Sequence, residues 1–172
     1  MAPISILVPH DASPGASGVI DALGPLLAPG TRVMLLYVDD GQGRANSEVD
    51  AAERRLIDLG ADVSRSDSTS TDPAETIIEV AESAHPDLVA MSTHGQSGRH
   101  SRFRGGVAER VLRACSVPLF MANPFIEMSE RFSSVLVPLD TTPRSAEILD
   151  PLIPIANAAG SRLTLLFVDY DD

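Results

Sequence analysis

The strongest constraint on this chain is that its opening segment occurs twice. Residues 4–40 read ISILVPHDASPGASGVIDALGPLLAPGTRVMLLYVDD, and residues 133–172 read SSVLVPLDTTPRSAEILDPLIPIANAAGSRLTLLFVDYDD. Val8-Pro9-His10-Asp11 corresponds to Val137-Pro138-Leu139-Asp140 at an offset of 129. Pro14, Asp21 and Pro25 correspond to Pro143, Asp150 and Pro154 at the same offset. After one inserted residue, Leu35-Leu36-Tyr37-Val38-Asp39 corresponds to Leu165-Leu166-Phe167-Val168-Asp169. So long a period marks a repeated domain, because solenoid units are far shorter. Residues 1–122 are therefore expected to form one complete domain, 123–132 a linker, and 133–172 an incomplete second repeat of β-α-β.

Within the first copy, apolar runs and helical patterns alternate. Ile4–Val8 is a β-branched and leucine-rich run that is expected to stop at Pro9. Ser13 offers an N-cap with Pro14 at the first helical position, and the apolar spacing from Val19 to Leu27 predicts a helix ending before Pro29-Gly30. Arg32–Val38 predicts a second strand. Glu48–Leu59 predicts a helix stopped by Gly60. Ala61–Ser66 is a more polar strand, suited to a sheet edge. Asp72-Pro73 starts a helix to about Ala84, followed by a strand at Leu88–Ser92, a glycine-bearing loop, a helix at Val107–Ala114 and a last strand at Val117–Met121. The order βαβαβαβαβ argues for an open, parallel, doubly wound α/β sheet, Rossmann-like, with helices on both faces.

Composition removes several functions. Asp and Glu number 24 against 13 basic residues, a net charge of −11, which argues against general binding of nucleic acid or an acidic membrane. Every basic residue is arginine, so mechanisms built on a lysine, such as the Walker P-loop or a Schiff base, are excluded. The single Cys115 cannot form an intramolecular disulfide, and no apolar run approaches a membrane span, so a cytoplasmic setting is expected.

In doubly wound sheets ligands bind beyond the carboxyl ends of the strands, where the strand order reverses. With the order 3-2-1-4-5, that crevice lies between strands 1 and 4. Pro9-His10-Asp11 follows strand 1, and Ser92-Thr93-His94-Gly95 to Gly105-Gly106-Val107 follows strand 4. Glycines let backbone amides approach a ligand, and a helix N-terminus favours phosphate. Read alone, the same glycines would also serve an ordinary turn. Arg99, Arg102 and Arg104 with His100 form a dense basic cluster that could clamp phosphates or simply face solvent. Asp11 is either a ligand contact, to a ribose or a bound Mg²⁺, or an acid capping the helix at Ser13-Pro14. The histidines show no metal-ligand spacing, and no nucleophile-elbow sequence supports a Ser–His–Asp triad.

These motifs together resemble the universal stress protein family. That family carries Gly, two residues, Gly, nine residues, Gly, then Ser or Thr. Here Gly95, nine residues and Gly105 fit, followed by Val-Ala-Glu-Arg-Val-Leu and Val117-Pro118-Leu119. The resemblance covers residues 4–122, with 133–172 as a restart. It implies an adenine nucleotide, ATP or else ADP or AMP, with Mg²⁺ carried on the nucleotide. The implied contacts are Pro9, His10, Asp11, Val38, Ser92, His94, Gly95, Gly98, Arg104, Gly105, Gly106 and Val107. It also implies a stress-response role without efficient catalysis, and a homo-oligomer through strand 117–121 or the 133–172 fragment. Two residues depart from the pattern: Ser92 replaces its first glycine, and Gly106 replaces the Ser or Thr. These departures favour an alternative, a member of the family that binds no nucleotide and acts through protein contacts. An adenylyl transferase of related fold would call for a paired-histidine signature that the sequence lacks.

Overall fold

The structure, a computed structural model, describes residues 4–27, 29–39, 46–93, 106–123 and 132–168. Contacts divide the chain into two compact units, Met1–Met128 and Ser129–Asp172. In unit 1 the elements run β1 (Ser5–His10), α1 (Pro14–Leu23), β2 (Arg32–Asp39), α2 (Ser47–Asp58), β3 (Asp62–Thr69), α3 (Pro73–Ala84), β4 (Leu88–Ser92), α4 (Val107–Ala114) and β5 (Leu119–Ala122). The five strands are parallel in the order β3-β2-β1-β4-β5. Strand order therefore reverses between β1 and β4, as the αβ alternation requires.

Burial follows from the apolar runs. β1, β2 and β4 are nearly continuous in Ile, Leu, Val and Met, and both of their faces are covered. β3 reads DVSRSDST and is mostly exposed, which suits the edge it occupies. On one face Leu7, Leu36 and Val38 pack against Ala74, Ile77 and Ala81 of α3, Val89 and Met91 of β4, and Val111 of α4. Each fully buried Leu or Val in this cluster contributes about 1.5–3 kcal/mol relative to exposure.

Helix starts are set by local hydrogen bonds. Ser13 Oγ accepts from the Ala16 N–H at 3.2 Å, and Asp72 Oδ1 accepts from the Glu75 N–H at 3.2 Å. Both helices place proline at the first position, where its missing N–H costs nothing.

Several element boundaries differ from the sequence reading. β1 runs through Pro9 to His10, because the β1–β4 ladder covers only Ile6 and Leu7 while β2 pairs up to His10. Pro9 thus lies where the strand is paired on one side, the setting in which a strand tolerates proline. α1 ends at Leu23 and passes into a 3₁₀ turn at Gly24–Leu26, with Pro25 inside that turn. β3 extends to Thr69, three residues past its expected end, carried by its pairing with the whole of β2. β5 begins at Leu119, beyond Pro118.

Unit 2 comprises β6 (Ser134–Leu139), α5 (Pro143–Ala146), α6 (Leu149–Ala159) and β7 (Arg162–Phe167). β6 and β7 are parallel, with Ser134 opposite Arg162 through Leu139 opposite Phe167. The corresponding residues of unit 1, Ser5 opposite Arg32 through His10 opposite Tyr37, hold the same register. The single expected helix is broken after Ala146. Pro151 stands where unit 1 has Ala22, and its ring excludes a helical carbonyl four residues earlier, at Glu147. Val137, Leu139 and Ala156 are buried, whereas Leu136 of β6, Leu165, Leu166 and Phe167 along β7, and Val168 after it are exposed, on both faces of the strand pair.

Candidate functional site

The carboxyl ends of β1 and β4 lie at the strand-order reversal, and each is fastened to the start of α1. After β1, Asp11 Oδ1 accepts from the Ser13 N–H at 3.0 Å and from the Ser13 hydroxyl at 2.5 Å. Ser13 Oγ in turn caps α1. The capping role weighed for Asp11 is thus present, acting through Ser13.

His10 is buried and occupied at both ring nitrogens. The Ala12 N–H donates to Nδ1 at 3.0 Å, and Nε2 lies 3.2 Å from Ser17 Oγ. Since Nδ1 must accept, the neutral ring carries its proton on Nε2 and donates it to Ser17. Burial pushes the imidazole below its ordinary value of 6.5, against the opposing pull of the Asp11 and Glu48 carboxylates. Ala12 itself is left-handed, at φ 57°. For a residue with a Cβ that conformation costs roughly 1–2 kcal/mol, and the hydrogen bond to His10 offsets part of it.

At the end of β4, the Ser92 hydroxyl donates to the Gly15 carbonyl in the first turn of α1 at 2.6 Å. Ser92, which replaces the first glycine of the family pattern, thus ties the end of β4 to the start of α1. The next residue, Thr93, continues toward β5 through its N–H, which donates to the Ala122 carbonyl.

α4 starts differently from α1 and α3. Its N-cap is Gly106, which has no side chain to cap the first turn. Gly106 has φ −77° and ψ 165°, open to any residue, and among the described residues a Cβ there would meet nothing within 4 Å. The first turn is anchored by Arg110, whose guanidinium pairs with both carboxylate oxygens of Asp72 at 2.7 and 2.8 Å. That pair lowers the Asp72 carboxyl and joins the start of α4 to the cap of α3.

Of the residues singled out from sequence, Pro9, His10, Asp11 and Ser92 gather at the β1 and β4 ends, and Gly106 and Val107 open α4. Val38, near the end of β2, is buried in the core cluster against α3, β4 and α4. His94, Gly95, Gly98, Arg104 and Gly105 lie outside the described residues, as do Arg99, His100 and Arg102. Sequence reasoning missed the Ser92–Gly15 bond, the Ser17 and Ala12 partners of His10, and the Arg110–Asp72 pair. Only the last left a local trace, an arginine one turn into the helix that follows the glycine loop. A recess of about 280 Å³ lined by Ser5, Arg32, Ser64 and His85 lies toward the amino ends of β1, β2 and β3, at the other end of the strands from this crevice.

Among the described residues, no group of three or more His, Cys, Asp or Glu could hold a metal ion, and no helix is long and apolar enough to cross a membrane. The model of the universal stress protein family matches residues 5–123. Similar solved structures include hypothetical protein MJ0577, the subject of a structure-based assignment of biochemical function. It is 21% identical, covers 72% of this chain and 97% of its own, and has a TM-score of 0.62. A universal stress protein in complex with cAMP is 20% identical over 72% of this chain and 99% of its own, with a TM-score of 0.61. A universal stress protein from Archaeoglobus fulgidus is 19% identical over 97% of this chain and 66% of its own, with a TM-score of 0.72. At these identities the likeness concerns the fold. A search of curated proteins found no match.

Proposed function

The chain belongs to the universal stress protein family, and on that premise we propose that unit 1 binds ATP or a related adenine nucleotide, ADP or AMP, as part of a stress response. The observation that carries this reading is the start of α4. It follows the glycine loop in sequence, its N-cap is a glycine, and among the described residues nothing crowds Gly106. The N–H groups and dipole of a helix N-terminus favour a phosphate at such a place. The cAMP complex of a structural neighbour supports an adenine ligand for this fold.

In this reading the amides from Gly95 to Val107 hold the phosphates, with Gly98, Gly105 and Gly106 giving close approach and His94 and Arg104 adding donors. Pro9, His10 and Asp11 form the β1 wall, where Asp11 meets the ribose. Val38, whose side chain is buried in the core, meets the adenine through its backbone, and Ser92 borders the β4 wall. Mg²⁺ would arrive bound to the phosphates, since the described residues offer no acidic cluster for it. ATP is read as a ligand rather than a rapidly consumed substrate, in a cytoplasmic protein.

One observation favours a second reading, in which protein contacts matter more. Leu136, Leu166 and Val168 of unit 2 are exposed although their counterparts Leu7, Leu36 and Val38 are core residues. We read unit 2 as an incomplete second repeat, and oligomerisation through it or through strand 117–121 would cover such surface. Calorimetric titration with Mg-ATP tests the first reading against this one. Micromolar binding that disappears in Gly105→Glu supports the nucleotide site. Absence of binding, both by heat and by competition with a fluorescent adenine analogue, contradicts it.

A further inference from the structure

We infer that His10 is a positioning residue: its ring holds Ala12 in the left-handed turn that shapes the β1 wall of the crevice, and the nucleotide site proposed above depends on that turn. The inference rests on the nucleotide reading only for its second half. Its first half stands on a control contained in the chain itself.

The turns after β1 and β6 are built alike in one respect. Asp140 Oδ1 accepts from the Thr142 N–H at 2.8 Å and from its hydroxyl at 2.5 Å, and Thr142 Oγ1 caps α5 by accepting from the Ser145 N–H. These are the bonds that Asp11 makes with Ser13, and Ser13 with Ala16, 129 residues earlier. The acid–hydroxyl cap therefore does not distinguish the two turns.

The ring does. At the position of His10 unit 2 has Leu139, and at the position of Ser17 it has Ala146. Thr141, the counterpart of Ala12, does not take a positive φ, whereas Ala12 stands at φ 57°. With the same acid–hydroxyl cap and the same strand register on both sides, the left-handed turn accompanies the imidazole. The unit 2 turn is instead held by Ser145, at the position of Ala16, whose hydroxyl bonds the Asp140 N–H and carbonyl. The bond geometry supplies the cause. Nδ1 lies 3.0 Å from the Ala12 nitrogen, and Nε2 is fixed by Ser17 on α1, so the ring cannot follow Ala12 if the turn relaxes.

The far side of the same segment is held by Ser92, through the Gly15 carbonyl. The first turn of α1 is thus gripped from β1 and from β4, and the crevice between those strands is closed at its base by protein hydrogen bonds. His10 acts on a ligand through Ala12, because its own ring is buried and both nitrogens are engaged.

The test copies unit 2 into unit 1, in the full chain. In His10→Leu, the Ala12 amide should exchange with solvent about tenfold faster, and its Cα and Cβ chemical shifts should leave the left-handed range. Mg-ATP affinity should fall roughly five- to tenfold, the scale of one lost hydrogen bond. Adding Ala12→Gly, which takes a positive φ without help, should restore most of that affinity. In the wild-type protein, ring ¹⁵N shifts should report an unprotonated Nδ1 and a protonated Nε2, a reading that does not depend on any variant folding. An unchanged Ala12 in His10→Leu, or a protonated Nδ1 in the neutral wild-type ring, overturns the role of His10. An altered Ala12 with unchanged affinity overturns its link to the ligand. Failure of the wild type to bind Mg-ATP sinks the nucleotide reading instead, while the Ala12 exchange and shifts still decide what His10 does.

Discussion

Leu36 and Leu166 occupy the same position of the same two-strand register, yet their surroundings are opposite. Leu36 is 1% exposed beneath α3, β4 and α4, and Leu166 is 46% exposed. The comparison teaches that an apolar strand is only as buried as the layers added after it. In unit 1 the β3 to β5 half of the chain supplies those layers. Unit 2 has β6, β7 and helices that leave Leu136 and the Leu165, Leu166 and Phe167 run of β7 exposed. The turns make the complementary point, since an identical cap accompanies two different backbones.

The largest effect expected from this comparison is on stability. Leu36→Ala should destabilise unit 1 by about 2–5 kcal/mol, as loss of a buried leucine does. Leu166→Ala should change stability by no more than about 0.5 kcal/mol, as for an exposed site. Urea unfolding followed by circular dichroism measures both. Equal losses would mean that Leu166 is covered in solution, and the contrast between the units would fail.

A smaller effect is expected with pH. The folded imidazole of His10 titrates below its ordinary 6.5 because burial disfavours its charge. Between those two values the unfolded chain binds the proton and the folded one resists it. The stability contributed by neutral His10 is therefore complete above about 6.5 and falls as pH drops toward the folded value. Unfolding measured at pH 7.5 and at pH 5.5 should show less of this loss in His10→Leu than in the wild type. An identical pH dependence in both proteins would remove His10 from the account.

The smallest effect concerns the start of α4. Gly106→Ser introduces the hydroxyl that the family pattern carries, where no atom of the described residues would clash. It should stabilise the helix by a few tenths of a kcal/mol and tighten Mg-ATP binding up to about tenfold. Weaker binding would indicate that a ligand needs the bare backbone at this position.

Much of this architecture was legible because it is local. The apolar runs of β1, β2 and β4, the Ser13-Pro14 and Asp72-Pro73 helix starts and the polar β3 each carry their signal within a few residues. The five-strand order then follows from alternation and handedness. The strand-order reversal between β1 and β4 was legible as a location, through the order of the elements. Its internal wiring was not. Ser92 meets Gly15 across 77 residues, and Arg110 meets Asp72 across 38. Neither pairing exists until the sheet has formed. Ala12 offers no sequence cue for a left-handed backbone, because alanine does not favour one; the cue lies in the tautomer of a buried ring. The break between α5 and α6 was in principle readable, from Pro151 where the first copy has Ala22.

The central claim is that an adenine nucleotide occupies the β1–β4 crevice of unit 1 and that the matching turn of unit 2 is no such site. Backbone amide chemical-shift mapping on addition of Mg-ATP tests it most directly. The account predicts saturable shifts at Asp11, Ala12, Thr93, Val107 and Ala108, with Asp140, Thr142 and Ser145 unmoved. Shifts confined to unit 2, or no shifts at saturating nucleotide, would contradict it.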